Sequence, residues 1–297
     1  MTLSRRRFLS IAAGALVPTF AGAETFHRRT GRALGAATSL KLVGTDAGEA
    51  EATFAAVEAE LARLERIFSL YDPHSSLSAL NAAGHLKHPP PELLEVLSHC
   101  AALNQATEGA FDPTIQPLWA HHAGLNPAKD AGDLVGWQHV RVDHRRIAFT
   151  KPGMQLTLNG IAQGYITDRI ATLLRARGLT RVMIDMGEIA GLGLNAQNRP
   201  WKAGVATPDG EILARVQLTD RALATSASHG MMLNAGTKMG HILDPLTGEA
   251  PKPRTVAVSS PSAMIADGLS TAGCILPKPR LLNAINTFPE TQLEAFA

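Results

Sequence analysis

Residues 49–68 constrain the fold more tightly than any other stretch of this 297-residue chain. Phe54, Val57, Leu61, Leu64, Ile67 and Phe68 recur at three- and four-residue steps, with Glu51, Glu58, Glu60, Arg63 and Glu65 between them. That is the period of a helix with one apolar stripe, and the stripe must be covered by a sheet or another helix. Pro89-Pro90-Pro91-Glu92 opens a second helix that runs to about residue 106, because proline suits a first turn. Gly160–Arg177 reads as a third, with Ile161, Ile166, Ile170, Leu173 and Leu174 on one face and Gly178 as its stop. Ala263–Leu276 reads as a last helix. Arg181–Asp185, Lys202–Ala206, Ala214–Leu218 and Arg254–Val258 carry short strand patterns bounded by turn residues. Ala123–Asp133, rich in Gly, Ala, Asn and Asp, reads as a surface loop. With no repeat and no low-complexity linker, the chain reads as one α+β body.

The first residues read as an address. Ser4-Arg5-Arg6-Arg7-Phe8-Leu9 carries paired arginines, Ile11–Val17 is apolar, and Ala21-Gly22-Ala23 closes the stretch like a cleavage site. The apolar run, broken by Gly14 and Pro18, is too short to span a bilayer. The pattern resembles a twin-arginine export signal, with a Sec signal as the alternative, and either places the chain in the periplasm. Residues 1–23 then stand outside the fold, 24–37 read as a linker, and 38–297 as the working body. Without the three leader arginines, 25 of the 28 basic side chains remain against 26 acidic ones. That balance leaves no surplus for phosphate neutralisation and excludes nucleic acid as a partner. Export implies an oxidising compartment. The two cysteines, Cys100 and Cys274, nevertheless lie in apolar surroundings and read as buried small hydrophobes; a disulfide between them stays open.

The sequence contains no G-x-G-x-x-G after a strand, no G-x-x-x-x-G-K-[ST], no H-E-x-x-H and no G-x-S-x-G. Four other segments carry chemistry. In Thr157-Leu158-Asn159-Gly160-Ile161-Ala162-Gln163-Gly164-Tyr165, two glycines flank a helix entry, where backbone N–H groups can receive a phosphate. A strand-to-helix turn that only needs small residues fits the same letters. In Ala266-Asp267-Gly268-Leu269-Ser270-Thr271-Ala272, Asp267 and Thr271 are four apart, so on a helix their oxygens share a face. A carboxylate beside a hydroxyl suits a hard cation such as Mg²⁺. The alternative is a surface acid near a back-bonded threonine, but the apolar neighbours make an unpaired carboxylate costly. His241 precedes the turn Asp244-Pro245-Leu246-Thr247-Gly248 and is either an acid/base group or a structural histidine. Gly109-Ala110-Phe111-Asp112-Pro113-Thr114 is another turn, and Asp112 by itself carries no specific signal. His85 and His88 have metal-like spacing, but their Pro-rich surroundings read as a solvated loop.

Taken in order, these segments resemble the ApbE family, the FAD:protein FMN transferases, from about residue 38 to residue 280. Ser69-Leu70-Tyr71-Asp72-Pro73-His74-Ser75-Ser76-Leu77-Ser78-Ala79-Leu80-Asn81 is similar to the family's S-x-Y-x-x-x-S-x-[IL]-S-x-[LF]-N. Gly109–Thr114 matches G-A-F-D-P-T, Gly160–Tyr165 matches G-I-A-K-G-Y, and Ala224-Thr225-Ser226 matches the start of A-T-S-G. His241–Gly248 matches H-I-[IL]-[DN]-P-x-T-G, and Ala263–Ala272 matches A-M-x-A-D-A-L-[AS]-T-A. Each motif is weak alone, whereas six in the right order are specific.

The resemblance implies a T-fold-related body of two mixed α/β lobes with a flavin and metal site in the cleft between them. It implies Mg²⁺, or Mn²⁺, on the backbone carbonyl of Ala162 and the side chains of Asp267 and Thr271. It implies FAD as substrate, beside Tyr71, Asp112, Asn159, Gly160, Gly164, Gly187, Glu188, Thr225, Ser226 and His241. The implied reaction moves FMN onto a Thr or Ser hydroxyl of a partner flavoprotein and releases AMP. We assign the attacking proton to His241, because a neutral imidazole can accept it. Water in place of the hydroxyl would make the site an FAD pyrophosphatase, and loss of catalysis would leave a flavin carrier. The export signal and the Phe111–Trp119 run resemble the branch accessory to nitrous oxide reduction, which serves a membrane-bound flavoprotein. Three departures stand out. Met186-Gly187-Glu188-Ile189 replaces G-G-[DN]-I, Gln163 replaces the usual Lys, and Ala227 replaces the Gly after A-T-S. Loss of the Lys charge near a pyrophosphate is expected to weaken FAD binding. No departure removes a metal ligand.

Overall fold

Seven antiparallel strands frame the molecule. The computed structural model describes residues 26–125, 130–234 and 239–297; the leader at 1–23 and part of the loop expected at 123–133 lie outside these residues. The chain opens with β1 (Phe26–Ala33), β2 (Ala36–Val43), α1 (Ala47–Phe68), α2 (Ser76–Ala83), β3 (His85–Lys87) and α3 (Pro91–Ala106). It continues through α4 (Gln116–His122), β4 (Val140–Val142), β5 (Arg146–Phe149), α5 (Ala162–Ala176), β6 (Val182–Asp185) and β7 (Ile189–Leu192). Then come β8 (Trp201–Ala206), β9 (Ile212–Leu218), β10 (Arg221–Ala227), β11 (Met232–Asn234) and β12 (Met239–Gly240). β13 (Thr255–Ser260), α6 (Ala263–Gly273), α7 (Lys278–Ile285) and β14 (Gln292–Phe296) close it. The main sheet runs β1-β2-β6-β7-β10-β13-β14, and every neighbouring pair is antiparallel. Between β2 and β6 the chain leaves the sheet to build α1 to α5 and the small sheet β3-β5-β4.

Both faces of the sheet are covered. On β6, Val182 and Ile184 join Leu40, Leu42 and Val258 in the core shared with the helices, where Phe54, Ile166, Ile170 and Leu269 pack. The intervening Met183 points the other way, to Val43, Leu223 and Ala257 and to Trp201, Val205 and Leu218 of the β8–β9 hairpin. Central strands covered on both faces read as continuous apolar runs, and β13 is buried at all of its positions. The stripe of α1 is buried as its period requires, and Asp46 caps the helix by accepting the Glu49 N–H at 2.9 Å.

Some boundaries differ from the sequence reading. Residues 24–37, read as a linker, contain β1 and the start of β2. β1 is an edge strand whose Arg28, Arg29, Arg32 and Gly31 conceal any apolar alternation. Its turn is Leu34-Gly35, both at positive φ, which is the two-residue hairpin geometry matched to strand twist. The helix read from Gly160 begins at Ala162, because Leu158–Ile161 first closes a turn. The helix read to Leu276 stops at Gly273, and a further helix, α7, follows. Residues 131–134 of the expected loop form a short 3-10 turn. Cys100 and Cys274 are both buried and free, and burial pushes both thiols up.

Candidate active site

The site is organised by the packing of α5 against α6. Asp168 on α5 reaches across and serves as an acceptor for the start of α6. Its Oδ1 takes the Ala263 N–H at 2.8 Å, and its Oδ2 takes the Ser262 hydroxyl at 2.7 Å and the Met264 N–H at 3.1 Å. Gly164 lets the two helices touch: an added Cβ would lie 2.5 Å from the Ala263 carbonyl oxygen and 2.6 Å from Met264 Cα. At that contact the Gly164 N–H donates to Asp267 Oδ2 at 3.1 Å. One turn before, Gly160 faces Thr271, where an added Cβ would lie 2.9 Å from Oγ1. Ala162 sits between these two contacts, so the fold brings the first turn of α5 onto the Asp267–Thr271 face of α6. Gly160→Ala should therefore displace the Thr271 hydroxyl and lower turnover by about 10²-fold while leaving circular dichroism unchanged. Undiminished turnover would show that this hydroxyl has no part in the site.

A cavity of about 210 Å³ opens over this junction. Asp112, Asn159, Gly160, Gly187, Glu188, Thr225, Ser226, His241, Asp267 and Thr271 line it. The apolar walls come from Phe111, Trp119, Met231, Ile242, Leu243 and Pro245. Ala162 and Gly164 lie behind the lining, in the first turn of α5. Tyr71 does not reach the cavity; it stands on the loop after α1, 57% exposed. Asp112 faces the cavity, but its carboxylate also accepts the Thr114 N–H and hydroxyl and the Trp137 N–H, so it shapes the wall as a turn cap. The sequence offered no signal for Asp168, because only the folded helices show what it holds. His85 lies on β3, with its Nδ1 3.1 Å from the Ala83 carbonyl. Among the described residues no group of three His, Cys, Asp or Glu side chains could hold a metal ion.

The electrostatics of the cavity are one-sided. Among the described residues no Lys or Arg appears in the lining, whereas Glu188 and Asp267 are almost wholly buried. Burial first, and the Asp267 charge second, push Glu188 well above the ordinary carboxylate range. Burial likewise raises Asp267 to about 7; the Gly164 N–H opposes the rise and the Asp168 charge adds to it. Burial lowers His241 to about 4, so it stays neutral at pH 7. Two buried polar atoms of the lining have no partner, Thr225 Oγ1 and His241 Nδ1. Such orphaned groups, facing a cavity, mark a place for a ligand.

The donor set fits a hard divalent cation. The Asp267 carboxylate and the Thr271 hydroxyl, both on the cavity lining, are oxygen donors, and Ala162 stands in the adjacent first turn of α5. An anionic diphosphate could not enter beside two buried carboxylates unless a cation came with it. The raised Asp267 has a consequence for stability. Without a cation, the folded chain keeps a proton that the unfolded chain has lost, so stability falls as pH rises from 3.8 to about 7. Calorimetry of metal-free protein should show Tm declining across that window, and declining less in Asp267→Asn. Equal slopes in the two proteins would place the responsible acid elsewhere.

The sequence pattern of the ApbE family matches residues 34–297. The chain belongs to the ApbE family. It is 26% identical over 270 residues to the FAD:protein FMN transferase of Klebsiella pneumoniae (strain 342), covering 83% of this chain and 77% of the relative. It is 30% identical over 234 residues to the FAD:protein FMN transferase of Chlamydia pneumoniae, covering 70% and 71%. The crystal structure of the apo form of the Pseudomonas stutzeri flavinyl transferase ApbE superposes with a TM-score of 0.76 at 27% identity. That match covers 91% of this chain and 90% of the other. The mixed α+β body is therefore the ApbE fold, and the cavity is lined by segments that carry the family resemblance.

Proposed function

We propose that this ApbE-family chain transfers FMN from FAD to a Thr or Ser hydroxyl of a partner flavoprotein, with a divalent cation, Mg²⁺ or Mn²⁺, held by Ala162, Asp267 and Thr271. The observation that carries this reading is the cavity itself: two buried carboxylates beside the Thr271 hydroxyl, with no Lys or Arg in the lining among the described residues. That is a site for a diphosphate accompanied by a metal ion. When bound, the cation would neutralise charge on the phosphate oxygens.

The chain's own residues supply the rest. Phe111, Trp119 and Met231 wall the cleft and exclude water. The acceptor hydroxyl attacks the FMN-side phosphorus, the bond to the AMP oxygen breaks, and AMP leaves. The hydroxyl proton passes to the neutral imidazole of His241, a residue of the cavity lining. A site pulled down to about 4 by burial is a weak base when empty, and a diphosphate beside it would raise its proton affinity. His241→Ala should lower kcat by about 10²- to 10⁴-fold with little change in FAD affinity. A selective loss of FAD affinity would make His241 a binding residue.

The finer assignment is periplasmic action on a membrane-bound flavoprotein of nitrous oxide respiration. The leader at residues 1–23 and the Phe111–Trp119 run support it. The test is incubation with FAD, Mg²⁺ and a candidate acceptor domain. A mass gain equal to FMN on the acceptor supports transfer. FMN and AMP formed without acceptor labelling would make the site a pyrophosphatase, and tight FAD binding with neither product would make it a carrier.

A further inference from the structure

The inner end of the cavity is closed by chain segments that touch in sequence. Gly187 sits against Gln163, where an added Cβ would be 2.7 Å from the side-chain Cδ. The Thr167 hydroxyl of α5 donates to the Glu188 carbonyl at 3.3 Å, fixing that loop on the helix. Thr225 of β10 lines the same cavity as Glu188. The adjoining Ser226 hydroxyl lies 3.3 Å from Thr271 Oγ1, and Thr271 in turn faces Gly160. The enclosure holds the Glu188 and Asp267 side chains, 7% and 3% exposed, and the Thr225 hydroxyl, which is buried without a partner.

We propose that Glu188 is a further protein ligand of the divalent cation, so that two carboxylates face the ion instead of one. This rests on the cation site proposed above. Enclosing two like charges with no cation is expensive, and each carboxylate raises the cost of the other. One dication between them removes that cost. The closure of the loop on α5 keeps Glu188 on the lining of the cavity that Asp267 and Thr271 also line. Charge in a hard-cation donor set governs affinity, so the second carboxylate should tighten binding of the ion before any substrate arrives.

The experiment is Mn²⁺ binding to the full chain without FAD, read by electron paramagnetic resonance, for the parent protein and for Glu188→Gln, Glu188→Asp and Asp267→Asn. Glu188→Gln should weaken Mn²⁺ at least about tenfold. It should also add one water to the ion, counted by electron–nuclear double resonance, and Glu188→Asp should restore part of the affinity. Parent-like affinity in Glu188→Gln, or weakened affinity with no added water, overturns the proposal. If Glu188→Gln fails to fold, the shorter Asp variant decides: unchanged affinity there overturns it equally. Asp267→Asn separates this inference from the reading beneath it. Loss of Mn²⁺ in that variant alone leaves the cation site standing without Glu188, whereas parent-like binding in Asp267→Asn removes the site altogether.

Discussion

Asp267→Ala is expected to lower flavin transfer by about 10³-fold or more, read as covalent in-gel flavin fluorescence of an acceptor domain. Charge neutralisation by a bound metal ion contributes several kcal/mol to a phosphoryl-transfer transition state, and each 1.36 kcal/mol is a factor of ten in rate. The loss should come without unfolding. Asp267 is a buried carboxylate lifted to about 7, so it strains the metal-free fold. The variant should melt at the same temperature as the metal-free parent or higher. Mg²⁺ should raise the Tm of the parent and leave that of the variant unmoved, since an ion stabilises only the state that binds it. Full activity in Asp267→Ala would end the metal assignment.

Asp168→Ala is expected to be the most damaging single change to the fold near the site. Its carboxylate accepts from Ser262, Ala263 and Met264, and all three donors would lose that acceptor at the start of α6. Cap residues are worth about 1–2 kcal/mol, and buried unsatisfied donors add about 1–3 kcal/mol. A loss of roughly 2–4 kcal/mol corresponds to a Tm lower by roughly 5–10 °C. Asp168→Asn keeps one acceptor oxygen and should lose about half as much. Because α6 carries Asp267 and Thr271, activity in Asp168→Ala should fall more steeply than stability at 25 °C, and added Mg²⁺ should recover part of both. A melting curve indistinguishable from the parent would show that other contacts hold α6 in place.

The sequence made the four longer helices legible because their apolar stripes are long, whereas the seven- and eight-residue helices α2, α4 and α7 carry too little stripe to be read. The six apolar positions between Phe54 and Phe68 admit little but a helix. Central strands such as Val182–Asp185 were legible as short apolar runs. Edge strands were not: Arg28 and Arg32 of β1 are exposed and Arg29 lies over the Phe54 ring of α1, so no apolar alternation in those letters separates a strand from a linker. In the site, Asp267 and Thr271 could be paired from helical spacing alone. Their proximity to Gly160 and Gly164 needed the family resemblance, because contact between α5 and α6 spans about a hundred residues of sequence and leaves no local trace. Tyr71, which the resemblance implies beside the ligand, stands on an exposed loop outside the cavity lining. Asp168 had no motif of its own here, and only the crossing of two helices reveals what it does.

The distance along the chain between Gly164 and Asp267 has a consequence for how this protein ages. The groups on the cavity floor come from α5, from the loop after β6, from β10 and from α6, and these segments meet only when the central strands are aligned. A nascent or nicked chain ending before Ala263 therefore has nothing with which to grip a cofactor. Occupancy is then a certificate of completed folding: the loaded molecule should resist proteases as a single unit, while the empty one opens first where α6 lies on α5.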